Sequence, residues 1–551
     1  MKTCVLMAAA FAALASSCAE VLELRMESGE KWWGGAVVDA DKQPFDESTV
    51  LVGDMLRRNY GNPAMPFFLS SHGRCLRGDS PFRYVVSNGT IRVEGVGVRF
   101  DAGRVATDLP GAYRWCRDRF FPPSGKMPDE SLFTAPQYNT WIELQYNQNE
   151  KDVLAYAAAV KANGFPAGVM MIDDTWQIGY GTWEFDPRRF ADARGMCDRL
   201  HRDGFKVMLW MCPFVSADTP AYRKLRTEGG LFLCSNYIRD GDYPVYVKPG
   251  SEPDPALFRW WNGKSAQVDL THPNGVKWMT DVLDGLVRDF GVDGFKLDAG
   301  DLCYFHAENT YRVMRPFVAH EKTAGPAELA AAYSSIGLRY PLNEYRTVWG
   351  HQGQPIAVRL ADKRHRWNEV ARLIPQMVAT GLAGYPFVCP DMIGGGQYVS
   401  FLPGSEFDPE LFVRSAQVHA LSPMMQFSAA PWRVLDGRHL VAVKKCVEIR
   451  MHLTPYVMEV ARISAKTGDP MLRSLAFEYP GQGFEKVTDQ FLLGHRLLVA
   501  PQVKKGADRR KVRIPAGRWM SDDGRGVDGP CEVDEATPLE RLPYFILQER
   551  R

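Results

Sequence analysis

Apolar and polar residues follow one another along this chain in three successive rhythms. From residue 20 to about 123, short segments such as 21–26, 82–86 and 90–98 alternate with period two and are broken by Gly, Asn and Pro. That period half-buries an extended chain, so the region predicts a β-sandwich. Pro122, Pro123, Ser124, Gly125 and Pro128 read as a linker. Near Gln137 the rhythm changes to apolar runs separated by amphipathic helical stretches, which calls for a parallel sheet. The strand candidates are 140–146, 168–173, 206–212, 294–298, 345–350, 356–360, 384–389 and 423–427, with helices over 151–163, 196–203, 275–289 and 368–380. Eight strands in about 300 residues fit a (β/α)8 TIM barrel that carries insertions. The longest insertion, 216–263, is rich in Gly, Pro, Tyr and Trp and is expected to overhang the barrel mouth. Beyond Trp432, a helix over 440–461 and short strands at 491–500 and 511–514 predict a second β domain. The expected α/β architecture is therefore a leader (1–19), an N-terminal β-sandwich (20–130), a catalytic barrel (131–435) and a C-terminal β domain (436–551).

Composition narrows the partners. The 551 residues carry 66 basic and 65 acidic side chains, a net charge of +1. Phosphate binding needs concentrated positive charge, so nucleic acid is not the expected partner. Met1-Lys2, the apolar run 5–14 and the small residues Ala15, Ser16, Ser17, Cys18 and Ala19 form a secretory signal too short to span a membrane. Export to the periplasm or cell surface is expected. Leu14-Ala15-Ser16-Ser17-Cys18 is one residue longer than a lipoprotein box, which leaves a lipid anchor on Cys18 as the alternative to plain export. The 11 cysteines are scattered without a CxxC pair, so no zinc site is expected; export permits disulfides, but the spacing specifies none.

Chemistry concentrates at predicted strand ends. The stretch 291–301 reads GVDGFKLDAGD. Asp298 stands where a buried strand gives way to small residues, and Lys296 shares its side of the strand. A barrel's C-terminal mouth is its active-site face, yet a buried salt bridge explains such a pair equally well. Asp173 and Asp174 close VMMIDDTW, as ligands for sugar hydroxyls or as a helix cap. Asp362 follows IAVRLA among basic residues, and Asp391, two residues past its strand, is read as structural. Two carboxyls across a barrel mouth are what glycoside hydrolysis requires. A metal site is disfavoured, because the strand ends lack histidine and no ligand pair has i, i+4 spacing. The 14 tryptophans and 21 tyrosines suit stacking on sugar rings.

Several ordered blocks carry a resemblance: 172–215 (IDDTWQIGYG through LWMCPFV), WWNGKSAQVDLTHP (260–273), GVDGFKLDAGD and GYPFVCPDMIGGG (384–396). Over 137–432 the chain resembles glycoside hydrolase family 31, the retaining α-glycosidases, and within it the branch of the myogenesis-regulating glycosidase, with a lysine two residues before the nucleophile and Arg-x-x-Asp at the acid. The resemblance implies that Asp298 is the nucleophile and Asp362 the acid/base. It also implies that Arg346, sixteen positions before Asp362, and the pair Asp173 and Asp174 bind the sugar at the cleavage point. Trp261 and Trp210 are implied as aromatic walls, with no cofactor and no metal. Common α-glucosidases of the family have tryptophan where Lys296 stands and Gly-Asp at Ala361-Asp362. Those departures shift the expectation to an exo-acting α-galactosidase. The alternatives are an α-glucosidase, α-xylosidase or sulfoquinovosidase, or a non-catalytic sugar-binding surface protein.

Overall fold

The structure is a computed structural model that describes residues 19–56, 61–235, 237–240, 243–246, 254–307, 312–314 and 316–549. The expected leader lies outside these residues apart from Ala19, and so does Cys18.

Eight short strands form one parallel sheet: β1 (Gln137–Asn139), β2 (Val169–Ile172), β3 (Lys206–Met211), β4 (Gly294–Leu297), β5 (Leu342–Tyr345), β6 (Ala357–Arg359), β7 (Phe387–Cys389) and β8 (Gln426–Phe427). Their order is β8-β1-β2-β3-β4-β5-β6-β7, so the sheet curls into a nearly closed TIM-like barrel whose neighbours in sequence are neighbours in space. Helices Glu150–Ala162, Ala193–Arg202, Pro273–Phe290 and Trp367–Leu382 cover it where the 3.6-residue periodicity places them.

Two strands differ from expectation. The run 140–146 is not strand: Asn139 Oδ1 accepts from Trp141 N at 2.7 Å, and a helical turn follows over Trp141–Leu144. The strand proper lies just before it, at β1. The fifth strand precedes the predicted 345–350, because pairing with β4 ends at Leu297↔Tyr345 and Arg346 turns out of the sheet.

Two four-stranded antiparallel sheets precede the barrel, Ala19–Arg25/Thr90–Val96/Arg83–Ser87/Leu51–Asp54 and Trp32–Ala36/Ala64–Ser70/Arg74–Gly78/Phe100–Arg104. Buried rings such as Phe68 and Tyr84, edge to face at 5.2 Å, fill the space between them. The sequence reading missed the helix Leu109–Phe120, which Asp108 caps by accepting from Gly111 N at 2.8 Å. A 31-residue helix, Gly437–Thr467, leads to a six-stranded C-terminal sheet. Among the described residues no helix is long and apolar enough to cross a membrane.

Candidate active site

The stretch 291–301 is built for close approach. Gly291, at φ 73°, ends the helix Pro273–Phe290 in the left-handed conformation that glycine tolerates. Asp293 then accepts from Val207 N at 2.7 Å and pairs with His201 Nε2, which clamps the entrance of β4 to β3. A Cβ on Gly294 would stand 1.8 Å from the Leu342 carbonyl oxygen, so only glycine lets β5 pack alongside. At the other end Ala299 takes φ 64° and its N–H turns back on Asp298 Oδ1 at 2.8 Å. Thr175 at φ 74° and Asp391 at φ 122° are similarly placed past β2 and β7. Such conformations cost about 1–3 kcal/mol each and persist where surrounding packing over-determines them.

Parallel register sets Trp210, Lys296 and Glu344 abreast on β3, β4 and β5, all buried. Their polar ends meet charges from neighbouring strands. Lys296 Nζ donates to Asp173 Oδ2 at 2.7 Å, and Asn139 Nδ2 donates to the same oxygen at 2.8 Å. Asp298 pairs instead with Arg346, whose Nε lies 2.6 Å from Oδ1, while Trp210 Nε1 donates to Oδ2 at 3.0 Å. Arg346 also reaches Asp301 Oδ2 at 3.2 Å and lies 5.0 Å from the centre of the Trp261 ring. Lysine and aspartate of the one strand thus take separate partners.

Asp174, one residue past Asp173, accepts from Asn262 Nδ2 at 2.6 Å, Tyr180 hydroxyl at 3.2 Å and Gln177 Nε2 at 3.3 Å. Asn262 and Trp261, at the far end of the 216–263 insertion, reach this site. Across the cavity Arg359 Nη1 donates to Asp362 Oδ1 at 2.6 Å and to Asp391 Oδ1 at 3.0 Å, and its Nε faces Glu344 at 3.3 Å. Asp391 Oδ2 takes the backbone N–H of Lys363 and Gly396 and thereby holds the loop that carries Asp362.

Charge follows from this geometry. Burial pushes the Asp298 carboxyl up, but Arg346, Lys296 and the Trp210 N–H outweigh it and hold the group well below the usual carboxylate range. Asp174 is pushed up to about 7 by burial and then by the charge of Asp173. Burial raises Asp362, and Arg359, Lys296 and Arg346 bring it net below its ordinary value. Asp391, which shares Arg359 with it, is pushed up to about 6 by burial. The Asp362 side chain is 26% exposed and that of Asp298 only 9%, so water reaches the former more readily.

All eight residues singled out from sequence (Asp298, Asp362, Asp173, Asp174, Lys296, Arg346, Trp261 and Trp210) line one cavity of about 360 Å³. Trp210 is more than a wall, since its N–H bonds the Asp298 carboxylate. Sequence reasoning passed over Trp141, Tyr146, Gln397 and Tyr398, which line the same cavity, and met Arg359 only as the arginine of the Arg-x-x-Asp order at the acid, with no role in the site. Arg359 carried a signal, standing three residues before Asp362. The aromatics Trp141 and Tyr146 were hidden inside the misplaced first strand. Among the described residues one group could offer three metal ligands, Glu27, Glu30 and His72 in the sandwich. Its carboxylates are already engaged by Arg74 and Arg104.

A parallel barrel with two carboxyls, Asp298 and Asp362, lining one cavity at its C-terminal mouth defines a barrel glycosidase. More specifically, the chain belongs to glycosyl hydrolase family 31. Residues 132–460 match that family's TIM-barrel domain and residues 468–549 its C-terminal domain. The myogenesis-regulating glycosidase of Mus musculus is 29% identical over 94% of this chain and 75% of its own length. The α-xylosidase XylQ of Lactiplantibacillus pentosus is 24% identical over 75% of this chain and 53% of its own. In three dimensions the chain superposes on a family 31 α-xylosidase from a soil metagenome, complexed with xylose, with a TM-score of 0.79 at 20% identity, covering 96% of this chain and 79% of the other.

Proposed function

We propose that the protein is an exo-acting, retaining α-glycoside hydrolase that releases a terminal α-galactosyl unit by double displacement. The observation that carries the mechanism is the buried Asp298, kept anionic by Arg346 with Asp362 opposite in the same cavity. Asp298 Oδ1 is occupied by Arg346 and the Ala299 N–H, whereas Oδ2 has Trp210 alone, which leaves Oδ2 the freer lone pair for attack. Asp298 attacks the anomeric carbon while Asp362 gives its proton to the departing oxygen. A water then loses its proton to Asp362, adds to the anomeric carbon, and restores the Asp298 carboxylate.

Arg359 favours the ionised form of Asp362, so the fraction ready to act as acid grows as pH falls. Once Asp298 is esterified its negative charge is gone, which lowers Asp362 further and suits it to act as base. The sugar assignment rests on the Lys296–Asp173 pair beside Asp174, a fork of donors and acceptors for hydroxyls that an aromatic ring could not supply. On the strength of the leader-like first residues, the proposal also places the mature enzyme in the periplasm or at the cell surface, which cell fractionation tests.

A panel of 4-nitrophenyl α-glycosides differing only in the sugar tests the reading. The α-galactoside is expected to turn over fastest, and Asp298→Ala to lose about 10⁴-fold or more in kcat with the fold intact. Preference for the α-glucoside or α-xyloside overturns the sugar. Unchanged turnover by Asp298→Ala overturns the mechanism.

A further inference from the structure

Cys75 lies on the sandwich strand Arg74–Gly78 and Cys116 on the helix Leu109–Phe120. Both are buried, at 4% and 0% exposure, and their sulfur atoms stand 3.2 Å apart. That is closer than two non-bonded sulfurs pack at rest, and it is about 1 Å longer than a covalent S–S bond. Their separation of 41 residues in sequence would enclose a loop of the size for which a cross-link restrains the unfolded chain appreciably.

The helix is the piece that joins the domains. Tyr113 hydroxyl donates to Gly468 carbonyl at 2.7 Å, and Arg114 and Arg117 each reach Asp469 at 2.7 Å, at the start of the C-terminal domain. On its other side Phe121, just past the helix, stacks on Phe67 of the sandwich at 5.7 Å. The sandwich in turn touches the active site. Asn62 Oδ1 accepts from Ala361 N at 3.0 Å, one residue before Asp362, and Gly61 lies against Arg346.

We propose that Cys75 and Cys116 form a disulfide that staples the N-terminal sandwich to the interdomain helix. The two thiols give up two protons and two electrons. The oxidant is a disulfide, either that of a thiol oxidoreductase or oxidised glutathione; its S–S bond breaks through a mixed disulfide with one cysteine, and it leaves as two thiols. Both thiols are sealed from solvent in the native fold, and the neighbouring sulfur and burial push the Cys75 thiol up and away from its reactive thiolate. The bond therefore closes while the sandwich and helix come together, not afterwards. It needs no leader to form, only an oxidising redox buffer during folding.

The full chain is unfolded, refolded in a glutathione redox buffer, and quenched. Free thiols are alkylated under denaturing conditions and the protein is digested without reduction. The expected result is a peptide containing Cys75 joined to one containing Cys116, lost on reduction. The oxidised protein should also melt at least a few degrees above Cys116→Ser, which is measured under the same conditions with its turnover retained. Recovery of both cysteines as alkylated thiols in the folded protein overturns the inference. So does pairing of either one with a different cysteine.

Discussion

Asp174 shows how one buried carboxylate trades stability for recognition. Its folded value of about 7 lies above the ordinary 3.8, with burial as the first cause. A raised carboxylate favours folding at low pH. The cost of ionising it is absent below about 4, grows between the two values, and is complete above about 7. Gln177 Oε1 lies buried without a hydrogen-bond partner beside it. An amide at position 174 can donate to that oxygen once Gln177 turns over, while its own oxygen still accepts from Asn262 and Tyr180. Asp174→Asn should therefore melt higher than the parent at pH 8, with the difference vanishing near pH 4, while KM for the glycoside rises. A variant that melts no higher at pH 8 contradicts the burial account.

At the scale of single elements, β4 depends on a glycine whose only task is to have no side chain. A methyl group on Gly294 would collide with the Leu342 carbonyl at 1.8 Å, and backbone cannot move aside as a flexible side chain can. Gly294→Ala is expected to cost about 3 kcal/mol or more and to lower both solubility and activity, read by denaturant unfolding. A loss below about 1 kcal/mol would show that β4 and β5 slide apart freely. Strand ends were legible from sequence because they rest on local signals, an apolar run followed by Asp and small residues. The helices that cover the barrel were legible for the same reason, from periodicity. The first strand was misplaced because aromatic Trp141 and Tyr146 suit either a strand or a cavity wall. The helix Leu109–Phe120 escaped because it follows strands and carries Pro110, yet Asp108 followed by Leu-Pro-Gly is a usable start signal.

For the whole molecule, the sandwich is more than a neighbour of the barrel. Gly61, at φ 77°, would place a Cβ 2.7 Å from Arg346 Nη1. Arg346 cannot yield cheaply because Asp298 and Asp301 both hold it. Gly61→Ala should lower kcat/KM by about tenfold or more through displacement of Arg346, an effect of about 1.4 kcal/mol on the transition state, with a small fall in Tm. Activity equal to the parent would mean that the sandwich merely abuts the site. No spacing in the sequence announced this contact, since Gly61 and Arg346 meet only when two domains dock.

The chain by itself determined the alternation of strands and helices, the barrel they build, and the acids that stand at the strand ends. Those features follow from periods of two and 3.6 residues and from turn chemistry, which act over a few neighbours. Tertiary structure alone decided the partners. Lys296 on β4 and Asp298 just past its end, two residues apart, looked like a pair; curling of the sheet instead carried Asp173 at the end of β2 to the lysine and Arg346 beyond β5 to the aspartate. Likewise Arg359 became the shared counter-ion of Asp362 and Asp391 only when β6 and β7 lay side by side. Charge pairing falls off with distance through space, and only the closed barrel sets that distance.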